Sequence, residues 1–218
     1  MGTDSSDANA EASDEVLMTR VKQGDQVAFS NLLARHAGSI HQYLYRLCQN
    51  SADTEDLLQE TFLRLWRNAE QWQPGRVQLT TWLHRIARNL SIDNFRASTR
   101  RPQTDLRVTP VLDPESPELP QDQLLMQQRR HLELAECIAQ LPERQRSALL
   151  LCQYQGMTNR QAAEVLDVSV DALESLLARA RRRLRVLLQP HMQSEPQAGI
   201  SPGVEAGMSD PPEKSDER

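Results

Sequence analysis

Proline partitions this chain. Ten of its 12 prolines fall in two stretches, residues 102–123 and 190–218, leaving Pro74 and Pro142. Proline has no amide donor and breaks helix interiors, so regular structure belongs to the blocks 14–101 and 124–189. Charge follows the same division. Residues 16–101 carry 12 Lys and Arg against seven Asp and Glu, and residues 124–189 carry ten against seven. Residues 1–15 hold five acids and no base, 102–123 five acids and Arg107, and 190–218 six acids and two bases. Two basic blocks inside a chain of net charge -5 point to a polyanionic partner. Acidic, proline-rich stretches bury too little apolar surface to offset ordering entropy. Residues 1–13, 103–121 and 191–218 are therefore read as disordered tails and a flexible linker around two small domains.

Several classes drop out. No run approaches the ~18 apolar residues of a membrane span, and the acidic start resembles no signal peptide. Cys48, Cys137 and Cys152 lack the spacing of a zinc site or a disulfide framework, and read as small core thiols. No nucleophile motif, phosphate loop or carboxylate constellation is present. The sequence thus implies no enzyme, no cofactor and no metal.

Both blocks read as helical, with no sustained alternation of period two. In the first, the expected helices are Ser13 to Gln23, Val27 to Cys48, a third capped by Asp53 or Thr54, and Thr80 to Arg96. The third places Leu58, Phe62, Leu65 and Trp66 on an apolar stripe, while Asp56, Gln59, Glu60 and Leu63 point elsewhere. Trp72-Gln-Pro-Gly75 is a turn signal. Residues 76–101 contain six arginines and one acid. Thr80, Trp82, Arg85, Arg88, Asn89, Arg96, Arg100 and Arg101 are expected to be mostly exposed. Arginine beside aromatic side chains suits single-stranded nucleic acid, neutralising phosphates and stacking bases.

In the second block, Leu124 to Gln140 is helical and Pro142 opens a helix ending before Gly156. Thr158-Asn-Arg-Gln161 has the capping-box pattern, and Asn159 to Leu166 follows as a short helix. Asp167-Val168 turns the chain, and Ser169 caps a long helix through Leu188. Short helix, tight turn and longer basic helix form a helix-turn-helix. Asp171, Glu174, Ser175, Ala178 and Arg179 would lie near bases. Arg160, Arg181, Arg182 and Arg183 would hold phosphates, which position without reading sequence.

Five stretches, in this order, resemble one family: GDQVAF (24–29), DTEDLLQETFLRLW (53–66), TWLHRIARNLSIDNFR (80–96), LPERQR (141–146) and MTNRQAAEVLDVSVDALESLLARARRRL (157–184). The family is the extracytoplasmic-function (ECF) group of bacterial sigma factors, of the sigma-70 family. The resemblance implies an all-α chain. A sigma region 2 bundle (14–101) and a region 4 helix-turn-helix (124–189) are joined by a flexible linker (102–123). It makes Asp56, Gln59, Glu60 and Leu63 contacts to core RNA polymerase. It assigns Trp82, Arg85, Arg88, Asn89, Asp93, Arg96, Arg100 and Arg101 to the promoter -10 element, with the 72–79 loop near a flipped base. Arg160, Asp171, Glu174, Ser175, Ala178, Arg179 and Arg182 fall to the -35 element. Glu174 and Leu176 stand where the family often has Lys and Arg, which shifts the expected readout toward Arg179 and DNA shape. The implied partners are polymerase, promoter DNA and an anti-sigma factor, in the cytoplasm without membrane insertion. A stand-alone helix-turn-helix regulator is the alternative, and a helical adaptor a weaker one. The regulator reading leaves the helices at 53–66 and 80–101 without a role.

Overall fold

The computed structural model describes residues 12–98 and 121–193, and among them there is no strand. The expected tail and linker stretches, together with Arg100 and Arg101, lie largely outside the described residues.

The first block opens on α1 (Asp14–Lys22). Ser13 caps it, its Oγ accepting from Val16 N at 3.4 Å, and Asp14 and Glu15 occupy the favourable first turn. Gly24, at φ +84°, turns the chain where a side chain would be strained. Asp25 then caps α2 (Gln26–Cys48), accepting from Val27 N and Ala28 N. Those amides, with Arg20 beside it, hold its carboxyl below the usual range.

α3 (Ser51–Arg67) begins earlier than the sequence suggests. Its cap is Asn50, which accepts from Asp53 N at 3.0 Å, rather than Asp53 or Thr54. The cap preference is shared by Asn, Asp and Thr, so the earliest of them adds a turn. After a 3-10 turn (Ala69–Gln71), Trp72 is buried and donates its indole N–H to Val77 O at 3.1 Å. This closes the loop onto α4 (Leu79–Ser98).

α2 packs on α1, α3 and α4. Leu17, Met18, Leu32, Tyr43, Leu44, Leu47, Leu65 and Leu83 meet at its centre fully buried. Burying each such leucine contributes ~1.5–3 kcal/mol relative to exposure.

The second block holds α5 (Gln121–Ala139), α6 (Glu143–Leu149), α7 (Asn159–Leu166) and α8 (Val170–Gln193). α5 thus starts inside the expected linker. α8 runs past Pro190, where the missing N–H forfeits one backbone hydrogen bond. The helix expected from Glu143 to Gln153 instead widens after Leu149 into a π-helical turn (Leu150–Tyr154). That turn buries both Leu150 and Leu151 and turns Tyr154 outward. The Thr158–Gln161 capping box forms as expected. Asp167, at φ +54°, makes the tight turn, and Ser169 Oγ accepts from Ala172 N at 3.2 Å.

The blocks dock on each other. α4 packs against α7, and α2 against the π-helical turn and α5. One apolar core is continuous across both.

Candidate nucleic-acid and polymerase interfaces

On α3, burial of Thr54, Leu57, Thr61, Phe62 and Leu65 fixes which face looks out. Asp56, Gln59 and Leu63 are exposed on it, with Leu63 at 44%, and Glu60 is half-buried. Glu60 holds Arg64 Nε at 3.0 Å, one turn on. An exposed pair of that kind is worth under ~1 kcal/mol and rearranges readily for a partner. The face therefore combines the exposed Asp56 carboxylate, a loosely paired Glu60 and an exposed leucine.

α4 splits the set assigned to it. Arg85, Asn89, Asp93 and Arg96 are exposed, while Thr80 and Trp82 are half-buried. Trp82 packs against the core with part of its ring accessible. Arg96 lies 4.0 Å from Asp93, too exposed a pair to tie it down.

Arg88 departs from expectation. It is 6% exposed, because Glu143 of α6 caps its guanidinium. Nε donates to Oε1 at 3.1 Å and Nη2 to Oε2 at 3.3 Å, a bidentate fork. A buried guanidinium must be paired, and the pair spans the two blocks.

More polar contacts share that seam. Arg146 donates to Leu47 O at 2.8 Å in the first block, and to Ala139 O and Leu141 O in its own. The Arg46 guanidinium lies 4.5 Å from the Tyr154 ring centroid, a cation–π contact. Gln49 donates to Ala135 O, Ser39 to Gln155 Oε1, and Gln161 to Gln78 Oε1. His84, 2% exposed, shares Nδ1 with Thr80 O at 2.8 Å, and burial pushes its pKa down, so it is held neutral. Sequence reasoning missed Glu143 and Arg146 as functional positions. Their signal was charge on the inward side of α6, beside the buried Ser147, Ala148 and Leu149.

The helix-turn-helix matches its expected geometry. Leu173, Leu177 and Ala180 of α8 face inward. Asp171, Glu174, Ser175, Ala178, Arg179 and Arg182 are all exposed, as is Arg160 on α7. Acids occupy the start of α8, where the helix dipole favours them, and Arg179, Arg181, Arg182, Arg183 and Arg185 follow.

Residues 32–101 match the model of Sigma-70 region 2, and residues 131–184 that of Sigma-70, region 4. The ECF RNA polymerase sigma factor SigE of Mycolicibacterium smegmatis is 34% identical over 86% of this chain and 74% of its own. SigW of Bacillus subtilis is 31% identical over 78% of this chain and 94% of its own. The chain belongs to the ECF sigma factors. Its backbone resembles the solved structure of CnrH in complex with the cytosolic domain of CnrY. The TM-score is 0.61 at 28% identity, covering 81% of this chain and 97% of that one. RpoE of Bartonella quintana, solved with the anti-sigma factor NepR, shares the fold at a TM-score of 0.60 and 21% identity, over 74% of this chain and 96% of that one.

This ECF sigma factor is thus an all-α RNA polymerase specificity subunit acting in transcription initiation, and the stand-alone regulator reading falls away. No described helix is long and apolar enough to cross a membrane. Among the described residues, no group of three or more His, Cys, Asp or Glu could hold a metal ion.

Proposed function

We propose that the two basic blocks divide the promoter between them, residues 14–101 acting as region 2 and 124–189 as region 4. The observation that carries this is the outward face of α3, where Asp56, Gln59 and Leu63 are exposed beside Glu60. A free-standing DNA binder has no use for an acidic face with an exposed leucine; docking to the polymerase supplies one. Arg85, Asn89, Asp93 and Arg96, with the accessible part of Trp82, engage the melted strand of the -10 element. Arg88 joins them once Glu143 releases it. The exposed face of α8 enters the major groove of the -35 element, with Arg160 and Arg182 on phosphates. The sigma factor does no chemistry itself; it positions the polymerase and holds the opened strand, working where the polymerase works. CnrH was solved in complex with the cytosolic domain of CnrY and RpoE with the anti-sigma factor NepR, which favours an anti-sigma partner here too.

Reconstitution with core polymerase tests these roles separately. Leu63→Arg should abolish association with core polymerase while duplex binding by α8 survives. Arg85→Ala with Arg96→Ala should leave core association intact and reduce open-complex formation, read by permanganate reactivity of unpaired thymines. Equal loss of both activities in the double arginine variant would overturn the division of labour.

A further inference from the structure

The reading face of α8 carries a carboxylate that the structure holds in place. Glu174 is exposed, in the second turn of the helix, between Asp171 and Ala178 on the outward side. Asn159, the first residue of α7, donates Nδ2 to Glu174 Oε1 at 3.2 Å. This bond joins the two helices of the helix-turn-helix across 15 positions of sequence. Among the described residues Glu174 lies in no ion pair, so no nearby cation neutralises it. An acid there repels phosphate, yet phosphate contact falls to other side chains, Arg160 on α7 and Arg181, Arg182 and Arg183 further along α8. The near-positive end of α8 supports the acid, and Asn159 satisfies one oxygen and restricts the rotamer. The second oxygen remains a hydrogen-bond acceptor with nothing to donate.

An acceptor in the major groove is selective. Guanine offers only O6 and N7 there, and thymine O4 and a methyl, so both meet a carboxylate unfavourably. Adenine presents its N6 donor beside the N7 acceptor. Cytosine presents the N4 amino donor with no acceptor next to it, and is the base a carboxylate accepts best. We propose that Glu174, positioned by Asn159, is a specificity-determining residue that selects cytosine at one position of the upstream promoter element. The inference rests on α8 lying in the major groove, as argued under Proposed function. Asn159 acts as a positioning residue through Glu174 and touches no base.

The test uses holoenzyme assembled from core polymerase and the full chain, transcribing a promoter library randomised across the upstream element, with transcripts sequenced. Wild type should fix cytosine at one position, with discrimination on the order of tenfold over other bases. Glu174→Gln should move that position alone toward adenine, because a side-chain amide pairs bidentately with adenine N6 and N7. Glu174→Ala should erase the preference there, and Asn159→Ala should weaken it there and nowhere else. Glu174 and Asn159 are both exposed, so urea unfolding midpoints should stay near wild type, which separates readout from folding. If Glu174→Gln and Glu174→Ala leave the preference at every position unchanged, the inference is overturned. If wild type itself shows no preference anywhere in the upstream element, the placement of α8 in the groove fails instead.

Discussion

Glu143→Gln should loosen the docking of the two blocks, because Glu143 closes over the Arg88 guanidinium between them. Arg88 and Glu143 are joined by a bidentate pair, with side-chain exposures of 7% and 33%. Removing one partner of a fully buried ion pair costs ~3–5 kcal/mol, because the other charge is left unpaired. Glu143 is one-third exposed, so solvent takes up part of the loss, and about 2 kcal/mol is expected. The pair links α4 to α6, so the cost falls on docking of the two blocks. At ~1.4 kcal/mol per factor of ten, this shifts the docked-to-undocked ratio about thirty-fold.

The docked state matters because α7 touches α4. The -10 and -35 elements are named for centres ~25 base pairs apart, roughly 80 Å of duplex at 3.4 Å per pair. On the division of the promoter proposed above, helices in contact cannot serve both elements, so promoter engagement would require undocking. The assay is single-molecule energy transfer between dyes at Val27 and Val186, exposed positions in the two blocks. Glu143→Gln should enlarge the low-transfer population and raise the affinity of free protein for a single-stranded oligonucleotide. A double-mutant cycle with Arg88→Leu and Glu143→Leu, read by urea unfolding, should return a coupling near 2 kcal/mol. Coupling below ~0.5 kcal/mol, with an unchanged distance distribution, would refute the reasoning.

Acid should destabilise the fold through His84. Burial lowers its folded-state pKa below the ordinary 6.5. The unfolded chain therefore takes a proton that the folded chain refuses, and stability is level above about pH 7 and falls as pH drops below 6.5. Thermal melts between pH 5 and 8 check this, and His84→Leu should flatten the slope. Burial pushes the Cys48 thiol up to about 12, and Cys137 is also buried, whereas Cys152 is half-exposed. A thiol-specific reagent should thus modify Cys152 in the native protein, with Cys48 and Cys137 reacting only after denaturation; rapid reaction of Cys48 in native protein would contradict its burial. Thr158→Ala removes the capping box that starts α7 and should cost ~1 kcal/mol in urea unfolding. Thr158→Ser, which keeps the hydroxyl, should restore most of it.

Most helices and their inward apolar stripes are legible in the sequence, though not the earlier start of α3, the π-helical turn at Leu150–Tyr154 or the burial of Arg88. Ser13, Thr158 and Ser169 are legible caps because each acts within three residues of itself. The inward stripes and the exposed face of α8 follow from helical periodicity, which needs no knowledge of distant chain. The order of motifs was enough to name the family. What periodicity could not decide was the fate of polar residues on inward faces. Arg88 reads as one more arginine in a basic helix, until a carboxylate 55 positions away closes over it. The neutral His84, the Arg146 clamp on Leu47 O and the Asn159–Glu174 bond likewise depend on docking between segments far apart in sequence. The physical reason is range: capping and amphipathicity are settled within a turn or two, whereas burial of a charge is settled only by what the rest of the chain brings against it.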